Sequence, residues 1–164
     1  MYPAVELRDQ FTDATGPLPD DHPATIVISV ARSLVASLGV DAVRDLVKAG
    51  ASEFDAATGY IHGSGSAGGL QSPFERRGSG TWNEQRLDSV TRGVHWGNLI
   101  GAGHLAAIGG LDRLQQLQTT GGITRLEPWS NPWWFEVAAD PFGPCNDHAD
   151  TIAERLPEIS PFRP

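Results

Sequence analysis

The sequence predicts an α+β protein in which helices pack on a mixed or antiparallel sheet. Short β-branched and aromatic segments bounded by glycine or proline are typical of strands. Between them lie segments whose apolar residues recur every three or four positions, as in amphipathic helices. Two strand segments, 123–127 and 133–138, are separated by a turn and form a predicted hairpin. The order of elements indicates one domain over 1–164, built from two similar strand–helix–strand half-units.

The N-terminal part of the chain is expected to supply an irregular arm and the first half-unit. Prolines and scattered acidic residues over 1–23 predict an arm without regular structure. Residues 24–30 are β-branched and almost wholly apolar, which predicts a buried strand, although a helix running on through 32–35 fits the same pattern. Asp41 is expected to cap a helix, and 58–62 to form the returning strand.

The helix after Asp41 is predicted to be amphipathic and to lead, through that strand, to a long loop. Its core-facing stripe is expected to consist of Val43, Leu46, Val47, Ala51 and Phe54. Gly50 weakens this helix by roughly 1 kcal/mol relative to alanine. Residues 63–80 are rich in glycine and serine and have neither helical nor strand period, which predicts a loop.

The densest group of structural signals lies at 91–111. Residues 94–96 predict a short strand, 97–98 a turn, and the apolar residues after them two short helices divided by glycines 109–110. The side chains expected to be buried here are Trp96, Leu99, Leu105, Ile108 and Leu111.

The C-terminal part contains the predicted hairpin and a last helix. Neighbouring side chains of a strand face opposite ways, so one of Trp133 and Trp134 is expected in the core and the other at the surface. The candidate contacts for a partner protein are Trp134, Trp129, Glu127 and Glu136. Residue 146 or 147 is expected to cap the last helix. Its inward positions are Ala149, Ile152, Ala153 and Leu156.

Charge and composition disfavour several classes of function. Twelve basic against twenty acidic residues give a net charge of −8. Such a surface repels nucleic acids and anionic membranes and attracts basic proteins. No apolar run reaches the ~18 residues of a membrane span, and no secretory signal is recognised, so a cytoplasmic location is expected. The single cysteine cannot form an intramolecular disulfide.

Three groups of residues contain side-chain types or spacings that occur in catalytic, nucleotide or metal sites. Residues 63–68 match the G-x-G-x-x-G spacing of dinucleotide sites but lack the following helix that such a site needs. His95 and His104 are candidates for a catalytic pair, although a structural histidine explains each equally well. The third group is a candidate thiol or metal cluster of Cys145, Asp147, His148 and Asp150. It has no second ligand pair at zinc-type spacing, so no catalytic, cofactor-binding or metal-binding residue is assigned.

A glycine-punctuated pattern runs through the C-terminal half. Residues 92–101 read Arg-Gly-Val-His-Trp-Gly-Asn-Leu-Ile-Gly, followed by His-Leu at 104–105, Ile-Gly-Gly at 108–110, Gly-Gly at 121–122 and Ala-Ala-Asp-Pro at 138–141. This pattern resembles the type VI immunity-protein family, in which a segment of the form gly-val-x-trp-x-asn-leu-leu-gly precedes a short helix ending in Gly-Gly. The resemblance covers roughly residues 90–157, with a fainter match at 58–60.

The resemblance implies a small α+β protein without enzymatic activity that binds and neutralises a cognate toxin. The matching positions look like core and turn positions, so the family assigns no contact residue to this chain. An acidic, cysteine-poor chain suits an antidote that meets a basic toxin in the cytoplasm. Two alternatives stay open. One is a small enzyme using the histidines or the 145–150 cluster, and the other is a structural module with an apolar self-interface.

Overall fold

The computed structural model describes residues 6–7, 28–62, 91, 93–129, 132–142 and 145–159. The predicted loop 63–80, with its glycine motif, lies outside the described residues, as does the predicted arm 1–23 apart from two positions. The chain divides into two compact units, 1–46 and 47–164, where the sequence suggests one domain.

The first unit contains two short antiparallel strands and a helix. Strand β1 (Glu6–Leu7) pairs with β2 (Ile28–Ser29), and helix α1 spans Arg32–Leu38. The strand predicted over 24–30 is described only at β2, and helix α1 begins after it, so the described residues do not form one helix that runs on through 32–35. Val35 on α1 is buried.

Helix α2 (Val40–Glu53) begins one residue before its predicted cap, so Asp41 lies in the first turn. The helix dipole favours a carboxylate there, and Arg44 forms an ion pair with it. The predicted stripe is wrong at two positions, because Leu46 is 44% and Phe54 is 64% exposed. Helical spacing identifies an apolar side but does not show how much of that side a neighbouring element covers.

The second unit is built on an antiparallel sheet, which confirms the α+β class. Among the residues that the structure describes, its strands are β3 (Thr58–Ile61), β4 (Gly97–Ile100), β5 (Arg125–Pro128) and β6 (Trp133–Glu136). Their order is β3-β4-β6-β5, so β4 and β6 are central. The predicted hairpin is confirmed as the β5–β6 pair. The two-half-unit arrangement stays a prediction.

Strand β4 starts later than the sequence suggests. The predicted strand 94–96 precedes it, and the predicted turn 97–98 lies inside it. Gly97 is fully paired, opposite Ile61 on one side and Glu136 on the other. Gly97 allows close packing inside the strand and does not form a turn. The turn predicted from this glycine is therefore wrong.

The helices of the second unit follow the predicted pattern. Helix α3 (Ala102–Ala107) and helix α4 (Leu111–Thr119) are divided by Gly109 and Gly110, whose φ values are 84° and 103°. Glycine occupies this backbone region without the steric cost that a side chain adds. Helix α5 (Cys145–Arg155) is the predicted C-terminal helix.

The core of the second unit lies between these helices and the sheet. All four predicted inward residues of the last helix are buried. In the central segment Trp96, Leu99 and Ile108 are buried as expected, whereas Leu105 and Leu111 are half-buried.

In the part of the chain that the structure describes, no helix has the length and apolar character needed to cross a membrane.

Candidate functional site

The residues before β4 are held by the side-chain amide of Asn98. Its Oδ1 accepts a hydrogen bond from the His95 amide nitrogen at 2.8 Å, and its Nδ2 donates to the His95 carbonyl at 2.9 Å. Both residues are buried, so these bonds satisfy backbone groups that have little access to water. A side-chain amide supplies a donor and an acceptor together. Asn98 therefore acts as a structural brace.

Trp96 joins the same segment to the end of β6. Its indole Nε1 donates to the carbonyl of Ala138 at 2.7 Å, and its own carbonyl accepts a hydrogen bond from the Val137 amide at 2.9 Å. The ring is buried and makes an edge contact with Trp134, with ring centroids 6.4 Å apart. A buried indole needs a partner for its N–H, and here the partner is the backbone.

Gly97 lies beneath the indole of Trp134. The register pairs Gly97 with Glu136 and Leu99 with Trp134, so the four residues share one face of the sheet. A Cβ added at Gly97 would overlap the six-membered ring of the indole. The same indole donates from Nε1 to Glu136 Oε1 at 2.8 Å. The absence of a side chain at Gly97 thus makes room for Trp134 to lie across the strand.

A second tryptophan stacks on the first. The rings of Trp129 and Trp134 are 4.3 Å apart between centroids and inclined by 6°. Trp129 donates from Nε1 to Glu127 Oε1 at 2.7 Å, which repeats the geometry of Trp134 and Glu136. The ammonium of Lys48, on α2, lies 5.8 Å from the centroid of Trp129, within the range of a cation–π contact.

Arg125 lies between the two carboxylates. Its Nη1 is 3.6 Å from Glu127 Oε2, and its Nε is 3.8 Å from Glu136 Oε2. A buried carboxylate such as Glu136 is costly unless charge and hydrogen bonds compensate it, and the guanidinium and the Trp134 indole supply both. We call this group the tryptophan–carboxylate cluster; its members are Arg125, Glu127, Trp129, Trp134 and Glu136.

The predicted partner contacts stay a prediction, and the four residues differ in exposure. Trp134, Trp129 and Glu136 are buried, so in this structure they present almost no surface to a partner. Glu127 is half-buried and keeps an accessible side chain. One tryptophan of the adjacent pair does lie in the core, but it is Trp134, and Trp133 is the half-buried one. Strand alternation separates the two faces without showing which of them is covered.

The two candidate catalytic histidines have different surroundings. The ring of His95 stacks on Tyr60, with centroids 3.9 Å apart and planes 19° from parallel. His62 lies 5.9 Å from His95, tilted by 55°. His104, buried on α3, accepts a hydrogen bond at Nδ1 from the Gly101 amide at 3.3 Å. The rings gathered around His95 are thus those of Tyr60 and His62, and we call these three residues the β3 ring group.

The candidate cluster on α5 is described only in part. The side chains of Cys145 and Asp147 lie outside the described residues. His148 Nε2 is 2.9 Å from the carbonyl of Gly122, which links α5 to the turn after α4. Within the described ranges, no three His, Cys, Asp or Glu side chains are grouped so that they could hold a metal ion.

Sequence reasoning missed the β3 ring group, although part of its signal is present. Tyr60 and His62 are two residues apart on a predicted strand, and this spacing places both on one face. The sequence does not show which later residue meets that face. The pairing of Tyr60 with Asn98 brings in His95, because Asn98 holds the backbone of His95 in place.

Fold and site together define a small α+β protein whose most distinctive side chains are buried in and around an antiparallel sheet. Comparison with protein-family models, with curated proteins and with solved structures gives no match in any of the three.

Proposed function

We propose that this chain is a non-enzymatic immunity protein, which binds a cognate protein toxin and neutralises it. The resemblance of residues 92–110 to the type VI immunity-protein family supports the proposal. In the structure residues 93–110 form the approach to β4, the strand itself, and helix α3 with its two glycines. The features of the segment that carry the resemblance are therefore those that a scaffold requires.

The observation that carries the proposal is the use of polar side chains in this segment and in the hairpin. Asn98 bonds to backbone, Trp96 bonds to backbone, and the carboxylates of Glu127 and Glu136 accept from indoles. Groups of these types could serve as acids, bases or ligands in an enzyme. Here Asn98, Glu127 and Glu136 bond to groups of their own segment, and Trp96 bonds to the segment after β6. Each of these side chains has a structural partner, which favours a protein that acts through its surface.

The charge of the chain supports a basic partner. With a net charge of −8, the protein attracts cationic surfaces over distances of about a Debye length, ~8 Å at physiological salt. Complementary charge raises association rates and suppresses wrong partners more than it raises affinity. A toxin that binds nucleic acid, and is therefore basic, fits this field.

The test is co-expression with the product of the gene adjacent to that of this chain. We expect the chain to restore growth to cells that produce this toxin, and the two purified proteins to form a stable complex in size-exclusion chromatography. Leu114→Asp is the negative control, because it places a charge at a fully buried position and prevents folding. Growth that is not restored, or restored without a complex, contradicts the proposal.

The β3 ring group allows a test of one alternative, an enzyme that uses these histidines with a metal ion. Imidazoles are ligands that zinc prefers, but zinc sites use three or four protein ligands and this group offers two. Calorimetric titration with Zn²⁺ separates the functions. Micromolar binding that His62→Ala abolishes would support the enzyme, whereas equal heats for both proteins would remove a zinc site at this group.

A further inference from the structure

The end of helix α2 presents an aromatic side chain on a fixed turn. The amide of Phe54 donates to the carbonyl of Gly50 at 3.0 Å, and the amide of Ala56 donates to that of Ala51 at 2.9 Å. Asp55 between them has a φ of 47°, in the left-handed region. This is the hydrogen-bonded pattern that ends many helices, so Phe54 stands on backbone that does not need to be ordered on binding.

Three features that are unfavourable for folding coincide at this turn. Phe54 is 64% exposed, the most exposed of the large apolar side chains in the described residues. Glu53 and Asp55 add negative charge to the helix end, where the dipole is already negative, and the last turn has no basic residue. A residue other than glycine holds the left-handed position. Such departures from local rules concentrate at functional sites.

The charges around Phe54 indicate the chemistry of what covers it. Neither Glu53 nor Asp55 forms an ion pair with another described residue. Lys48, the nearest base on α2, has its ammonium beside the Trp129 ring. An exposed phenylalanine between two such carboxylates is complementary to an apolar pocket rimmed by lysine or arginine.

We infer that residues 53–55, the α2 end turn, form the main contact with a basic protein partner. Phe54 enters an apolar pocket, and Glu53 and Asp55 pair with basic residues at its rim. This inference rests on the proposed function, since the partner is the toxin of the preceding test. The contact surface is then the α2 end turn and not the buried hairpin residues.

The experiment measures binding of the purified toxin from that test to variants of this chain by biolayer interferometry. Phe54→Ala is expected to weaken binding about 30-fold, the size of an interface hot spot. Glu53→Lys with Asp55→Lys is expected to weaken it at least tenfold, mainly through slower association. Leu38→Ala is the matched control, because Leu38 is 61% exposed at the end of α1, and it should leave binding within twofold.

The outcomes separate the two proposals. If the wild-type chain does not bind the toxin, the immunity function and this inference both fail. If the wild type binds and Phe54→Ala binds equally well, the inference alone is overturned and the contact lies elsewhere. Equal loss in Phe54→Ala and Leu38→Ala also overturns it. A circular-dichroism spectrum like that of the wild type and a melting temperature no lower than its own assign any loss of binding to the interface.

Discussion

Gly97 and Asn98 are neighbours on β4 with opposite structural tasks. Gly97 is needed because it has no side chain: the Trp134 indole occupies the space in which a Cβ would lie. Asn98 is needed for a side chain that gives a donor and an acceptor to one backbone residue. Both positions are buried in a central strand, so single substitutions there test the scaffold reading directly.

Gly97→Ala should lower the free energy of unfolding by about 3 kcal/mol, because both the strand and the stacked indole resist the added methyl group. Urea denaturation followed by tryptophan fluorescence measures the change. Gly59→Ala is the control. A Cβ at Gly59 on the neighbouring strand meets Leu99 at an ordinary 3.6 Å, so a change within about 0.5 kcal/mol is expected. Equal effects at the two glycines would contradict the packing described for Trp134.

Asn98→Ala should cost about 2–4 kcal/mol, because it leaves a buried amide and a buried carbonyl of His95 without their hydrogen bonds. The same denaturation measurement applies. Thr119→Ala removes an exposed side-chain-to-backbone bond on α4 and should change stability by less than about 0.5 kcal/mol. A mild effect at Asn98 would mean that the brace is dispensable.

Two glycines of the helices differ in backbone alone. Gly50 lies inside α2, whereas Gly110 precedes α4 with φ of 103° and ψ of −179°. An added Cβ would meet nothing within 4 Å at either position. Comparison of alanine substitutions at the two positions therefore measures the free-energy cost of backbone conformation without a contribution from packing.

Gly50→Ala should stabilise the protein by about 0.5–1 kcal/mol, since alanine loses less entropy in a helix. Gly110→Ala should destabilise it by about 1–3 kcal/mol, since only glycine is at ease in that backbone region. Thermal melts of both variants give the two signs. Changes of the same sign would show that packing, and not backbone conformation, governs these positions.

The α2 end turn keeps exposed negative charge at the end of the helix, and this charge lowers the stability of the fold. Asp55→Gly should raise stability by about 0.5–1 kcal/mol, because glycine suits the left-handed position and the carboxylate at the helix end is removed. Asp55→Asn keeps the shape and removes the charge, so an intermediate value is expected. A less stable glycine variant in chemical denaturation would mean that Asp55 supports the turn in another way.

The elements that local signals specify were predictable. The break between α3 and α4, the hairpin and α5 depend on glycine pairs and apolar period within a few residues. The start of β4, the tryptophan that faces the core and the exposure of Phe54 were not. Each depends on a residue distant in the chain, as Gly97 depends on Trp134. The burial of three of the four candidate contacts was unpredictable for the same reason, because exposure is a property of the packed molecule.

At the scale of the whole molecule, the main electrostatic feature is the excess of acidic over basic residues. Twenty acidic residues against twelve basic ones create a field that acts before any contact forms. Repulsion between like charges on the chain itself opposes compactness, and the tryptophan–carboxylate cluster counters it locally by placing Arg125 between two carboxylates.

The association rate with the proposed toxin partner should fall at least tenfold when NaCl is raised from about 50 to about 500 mM, because salt screens the attraction between exposed charges. The dissociation rate, set by apolar contact, should change much less. Stopped-flow fluorescence resolves both. An association rate that does not change with salt concentration would contradict electrostatic steering.

The parallel indoles of Trp129 and Trp134 have an optical consequence. Two chromophores stacked at 4.3 Å couple their electronic transitions, so the near-ultraviolet absorption band of the folded chain should differ from that of separated tryptophans. Because one ring is on β6 and the other directly after β5, that band reports whether the two strands remain joined. The protein thus contains a label-free probe of hairpin opening.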